Sequence, residues 1–198
     1  PKLEGTAQVN MVLIIKFMQK FLMEAKEYPP VAPQTQQKSD DYLFAQGATS
    51  KGQNKIAFHD FNTAYKSVDL PNIRVFREQI EVLKRLLTEG APDKAQSRDL
   101  DFMLIVGELF TLVAYGQLII ENALLQKVDH DLLNTIFDFM VRDFSRYSLQ
   151  LYSKASSSAI QQEIALSMIR KPVVDSEQFE RVWKTHVHAL KDTYEMNP

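Results

Sequence analysis

Phe102 to Leu125 reads FMLIVGELFTLVAYGQLIIENALL, and the assignment of this stretch decides the fold. A membrane-spanning helix needs about 20 consecutive apolar residues. Glu108 and Glu121 interrupt the stretch, and its longest charge-free run, Leu109 to Ile120, has 12 residues. That length argues against a span and for the central helix of a soluble bundle. Pro92 and Asp93 offer it a start, and the pattern runs to about Lys127. Gly107 and Gly116 lie nine apart. Each is expected to admit a close neighbour at its own level, not to share a GxxxG seam.

Helical signals continue on both sides. A short helix is expected over Asp60–Val68. The next runs from Pro71, which suits the first helical position, to Glu89, before Gly90. Ile73, Phe76, Ile80, Leu83 and Leu87 recur within it at helical spacing. Asp129 or Asp131 caps a further helix, with Leu132, Ile136, Phe139 and Phe144 on one face. Ser156–Ile169 and Ser176–Tyr194 follow, separated by Pro172. At the other end Thr6–Ala25 reads as an apolar helix with a narrow polar stripe, a pattern normally buried against several neighbours. Pro29, Pro30, Pro33 and the glutamines after them mark a linker, in which Tyr42, Leu43 and Phe44 could dock as a helical turn. No segment alternates apolar and polar residues long enough for a sheet. The expectation is an all-α fold: an antiparallel helical bundle over 55–198, preceded by one apolar helix over 1–26 and a Pro/Gln-rich linker over 27–54.

The 198 residues are 45 % hydrophobic and 24 % charged, with a formal net charge of −2. Such a composition excludes a wholly disordered chain, and its length allows one sizeable core. The near-neutral balance argues against a nucleic-acid partner, because phosphate binding needs a basic surface. The absence of cysteine excludes disulfides, thiolate nucleophiles and zinc–thiolate sites, and fits a cytoplasmic location. The sequence begins at Pro1 and its first helix lacks signal-peptide features, so a processed chain or a segment of a longer one is expected.

Few motifs carry chemistry. A di-metal bundle needs Glu-x-x-His pairs, but Ile56, Lys127, Trp183 and Thr185 stand three before the four histidines. No metal site is expected, and the histidines read as surface or capping residues. No nucleophile elbow, P-loop, dinucleotide fingerprint or EF-hand loop is present. Asp138, Arg142, Asp143 and Arg146 suit surface ion pairs. Phe137, Phe139, Phe144, Tyr147 and Tyr152 read as core. One local signal remains, Leu3-Glu4-Gly5-Thr6-Ala7-Gln8-Val9-Asn10, leading straight into the apolar helix. A carboxylate on a glycine turn beside free helical N–H groups, the Thr6 hydroxyl and the Gln8 amide could receive a phosphate or a polar ring edge. Alternatively Glu4 frays at a chain end and Thr6 only caps.

Glu4-Gly5-Thr6-x-Gln8-Val9-Asn10 resembles the Glu-Gly-Thr-x-Gln/Glu-Ile-Gln motif of acyl-CoA dehydrogenases, with Met11 where a basic residue is usual and Leu3 where an aromatic is common. The stretches Lys55–Asp60, Leu109–Gln117 and Tyr194–Pro198 are similar to the extended C-terminal region of a bacterial subgroup. The resemblance implies an FAD-dependent α,β-dehydrogenation of acyl-CoA thioesters, with Glu4 removing the α-proton, Gly5 close to the substrate, and Thr6 and Gln8 on the FAD. It implies a homo-oligomer that passes electrons to a separate acceptor, with the helical extension serving subunit packing. Family members place their other flavin and thioester contacts before this motif. The isolated chain is therefore expected to be inactive and to retain no flavin. The alternative reading is a free-standing helical interaction module whose Glu-Gly-Thr is only a cap.

Overall fold

Capping residues set the helix boundaries. The computed structural model describes residues 7–24, 58–191 and 193, and the fold is all-α, with no strand among them. Helices α1 (Ala7–Ile14) and α2 (Met18–Met23) are joined by a 3-10 turn, Ile15–Phe17. Then come α3 (Asn62–Ser67), α4 (Pro71–Thr88), α5 (Leu100–Gln126), α6 (His130–Ser153), α7 (Ala159–Met168) and α8 (Ser176–Val182). Pro71 opens α4 as expected. The Asp129 carboxylate caps α6 by accepting from the Leu132 N–H at 2.9 Å. Ser158 and Gln161 form a capping box on α7. The linker region over 27–54 lies outside the described residues.

Three boundaries depart from expectation. The long helix begins at Leu100, not at Pro92 or Asp93. Asp93 Oδ1 instead accepts from the N–H groups of Ala95 and Gln96, closing a separate turn, and Asp99 caps α5 through the Phe102 N–H. The first apolar helix tightens into a 3-10 turn at Ile15–Phe17 before α2 resumes. The last helix leaves α geometry after Val182 for a π turn, Trp183–Val187, and a 3-10 turn, His188–Leu190.

Consecutive long helices run antiparallel. Lys154, just after α6, reaches Asp99 at the start of α5. Helices α4 and α6 are parallel neighbours, since Asn72 meets Asn134 and Gln79 meets Val141. Helix α7 packs antiparallel to both. Helix α5 lies on the far side of α6 and carries α1 and α3. It is long and apolar enough to cross a membrane by composition alone, yet Phe102, Val106, Leu109, Phe110, Val113 and Ile120 are buried against these neighbours.

Both glycines of α5 act as expected. A Cβ on Gly107 would lie 2.6 Å from Met11 Cγ, so α1 is seated against the bare backbone there. A Cβ on Gly116 would lie 2.3 Å from Tyr65 Oη. That hydroxyl donates to the Val113 carbonyl at 2.8 Å, and burial pushes its pKa well up, so it stays a neutral donor. Tyr65 belongs to an aromatic core with Phe61, Phe76, Phe137 and Phe144.

The extended connection from Ile169 to Asp175 is gripped by side chains rather than by a neighbouring strand. Ser145 Oγ donates to the Arg170 carbonyl and accepts from its N–H. The Asn72 amide does the same for Val173, accepting its N–H at 2.7 Å and donating to its carbonyl at 3.2 Å. Both groups are satisfied without a sheet.

Candidate functional site

Of the residues singled out in the sequence, Glu4, Gly5 and Thr6 lie outside the described residues, as does the side chain of Gln8, whose backbone is in the first turn of α1. The helix that follows the motif is described. It presents Met11 and Ile15 to α5, where the Thr111 hydroxyl also donates to Met11 Sδ. Its outer side leaves Leu13 and Ile14 exposed.

A groove of about 570 Å³ lies between α6, the Ile169–Asp175 connection and α8, with Phe139, Val173, Val174 and Phe179 on its walls. Phe139 was expected in the core and is 63 % exposed; Tyr152 is also exposed. The buried stripe of α6 is instead Leu133, Phe137, Met140, Val141 and Phe144. It is rotated from the expected face because α6 packs against α4, α5 and α7 at once. Phe137 and Phe144 are core as expected, and Asp138–Arg142 and Asp143–Arg146 form the expected surface pairs.

Helix α8 is held on α6 by polar contacts. Gln178 accepts from Asn134 and donates to the Asp131 carbonyl and the Thr135 hydroxyl. Arg181 pairs with the Asp131 carboxylate at 2.6 Å. His186 pairs with Asp129 beyond the end of the helix. Next along the surface, the rings of Phe179 and Trp183 stack, flanked by Glu180 and Lys184. His188 packs its ring edge against Trp183.

A second groove, of about 480 Å³, runs between α3 and α4 with Lys66, Arg74, Arg77 and Lys84 beside Glu78 and Glu81. Among the described residues no group of three or more His, Asp or Glu side chains could hold a metal ion. No family model, curated protein or solved structure matches the chain. The chemistry of both grooves is therefore read from their own side chains. The first is apolar with a charged rim and suits packing against another protein surface.

The first groove was hidden in the sequence because its walls come from four separate segments.

The anchoring of α8 to α6 has a defined pH response. The hydrogen bond and charge of Arg181 hold the Asp131 carboxyl below its ordinary range. Burial pushes Asp129 up, but the Leu132 N–H and His186 outweigh it and bring it below that range too. A depressed folded pKa gives stability that is present above the unfolded value and lost as pH falls through the folded one. Amide exchange in α8, taken relative to its intrinsic rate at each pH, is thus expected to accelerate only below about pH 4. Asp131→Asn should accelerate it already at neutral pH. Equal protection in the variant and the wild type at pH 7 would contradict this anchoring.

Proposed function

We propose that the chain is the C-terminal part of an FAD-dependent acyl-CoA dehydrogenase, with Glu4 as the α-proton base and the helical region serving subunit packing. The observation that best supports this is the two-sided character of α1. One side is seated on α5 through Met11, continued by Ile15 of the following 3-10 turn, while Leu13 and Ile14 on the other are exposed. A helix apolar on both sides suits a position between two packed layers. The bundle is one layer; in the proposal, the flavin-binding core is the other.

The larger groove does not fit a flavin dinucleotide. It carries Asp138, Asp175 and Glu180 on its rim, and such carboxylates repel a pyrophosphate. The proposal therefore assigns the FAD to Thr6 and Gln8 together with protein outside the described residues, and the acyl-CoA thioester to the neighbourhood of Gly5. Glu4 has the right chemistry for its part. An α-carbon beside a thioester is a weak acid, and a carboxylate enclosed over it gains basicity by desolvation.

An antibody against this chain tests the reading on the native polypeptide. The captured protein is expected to carry flavin absorbance that bleaches when acyl-CoA is added. Glu4→Gln should keep the flavin but slow bleaching by roughly a hundredfold or more. A captured polypeptide of this chain's own size without flavin would overturn the proposal and favour the free-standing interaction module.

A further inference from the structure

The exposed face at the end of α8 has an internal symmetry. Phe179, Glu180, Trp183 and Lys184 lie together on it. Phe179 is 55 % and Trp183 47 % exposed, although their stacked rings form the largest apolar feature of this helix. The face is continuous with the larger groove, which shares Phe179 and Glu180 and adds Phe139 and Val174, the latter 72 % exposed. Contiguous apolar surface of this kind, rimmed by charge, marks a contact site.

The rim charges identify the occupant. Arg181 is paired with Asp131, but neither Glu180 nor Lys184 forms an ion pair among the described residues. The face thus carries an aromatic pair four residues apart, and beside it an acid and a base four residues apart. Turn a second copy end over end and lay the two faces together. Phe179 then meets Trp183 of the second copy, and Glu180 meets Lys184 of the second copy, with the reciprocal contacts on the other side of the axis. A parallel twofold would instead lay the charged side of each face on the aromatic side of the other and leave both charges without a partner. An isologous interface requires this reciprocity, in which residue i meets j and j meets i. A face shaped for an unrelated partner has no need of it.

We infer that this face is a twofold interface between two copies of the chain, with the segments from α8 into the following π turn antiparallel about Arg181–Val182. The inference rests on the packing role proposed above and is independent of the flavin chemistry.

The test uses the whole chain. Sedimentation velocity should show a monomer–dimer equilibrium that shifts with concentration. Trp183 is the single tryptophan, so its emission should move to shorter wavelength as the dimer forms. Glu180→Lys and Lys184→Glu should each weaken the dimer by about tenfold, because every dimer then holds two like-charge contacts. Combining them restores opposite charges across the axis and should return most of the affinity. Both side chains are exposed, so the helix content of all variants should match wild type.

Dissociation by either single reversal together with recovery in the double variant supports the interface. A chain that is monomeric at every concentration overturns it, as does a dimer unmoved by the single reversals or a double variant that stays dissociated. If the chain dimerises but ignores the reversals, the packing role stands and this surface falls. If the interface holds while the captured polypeptide lacks flavin, the dehydrogenase reading falls alone.

Discussion

Phe76→Ala is expected to lower stability by about 3–5 kcal/mol. Phe76 is fully buried on α4 and touches three other aromatic rings. It stacks on Tyr65 from α3 at 6.0 Å and meets Phe137 and Phe144 edge-on at 5.5 Å each. The last two sit two turns apart on α6, so the Phe76 ring fills the space between them. Alanine removes the transfer energy of the ring, leaves a cavity, and deletes three aromatic contacts at once. A loss of this size is a large fraction of the 5–15 kcal/mol or so that a domain of this kind possesses. Urea unfolding should show the midpoint falling with little change in slope. Phe76→Leu should cost less, since leucine keeps much of the buried area. A loss below about 1 kcal/mol for the alanine variant would mean that the cluster collapses around the gap.

Gly116→Ala is expected to change the sign of its effect with the residue at position 65. In the wild type the new methyl would lie 2.3 Å from Tyr65 Oη, on a ring that is 1 % exposed and hydrogen-bonded to Val113. Neither the helix backbone nor that ring has room to yield, so overpacking should cost about 1–3 kcal/mol. In a Tyr65→Phe background the hydroxyl is gone, and the nearest remaining atoms, ring Cζ at 3.3 Å and Met140 Cε at 3.4 Å, are tight contacts that a shift of a few tenths of an ångström relieves. The alanine then contributes its helical advantage over glycine, about 1 kcal/mol. Tyr65→Phe alone should cost about 1 kcal/mol for the lost hydrogen bond. The double variant should therefore come close to wild type. Thermal unfolding of the four proteins measures the coupling, and additive effects would show that the contact is relieved in some other way.

Legibility in the sequence followed the number of neighbours each helix has. Helix α4 shows its phase in the sequence because its outer face is charged: Ile73, Phe76, Ile80 and Leu83 are buried as expected, and the stripe closes on Leu86, with the expected Leu87 half-buried beside it. Helix α6 touches four helices and bears apolar residues on most sides, so periodicity did not distinguish Phe139 from Phe137. The start of α5 was misplaced at Pro92 and Asp93 for a different reason. Asp93 and Asp99 are equally good caps locally, and only the burial of Gln96 against Gln161 makes the first of them a separate turn. At the N-terminus a short chemical motif stands out in sequence. The groove beside α8 has no such signature, because Asn72, Phe139, Val174 and Phe179 converge only once the helices have packed.

The side-chain grip on the Ile169–Asp175 connection also orders events on the ribosome. Asn72 binds Val173, 101 residues further along the chain, and Gln79 binds the Met168 carbonyl 89 residues on. Helix α4 therefore leaves the exit tunnel long before its partners are synthesised. Until α6 and α7 emerge, its stripe of Ile73, Phe76, Ile80, Leu83 and Leu86 lacks most of its cover, since Tyr65 of α3 reaches only Phe76. A nascent chain halted between α4 and α7 displays the surface that the finished protein hides most completely, and that interval is where chaperone attendance matters most.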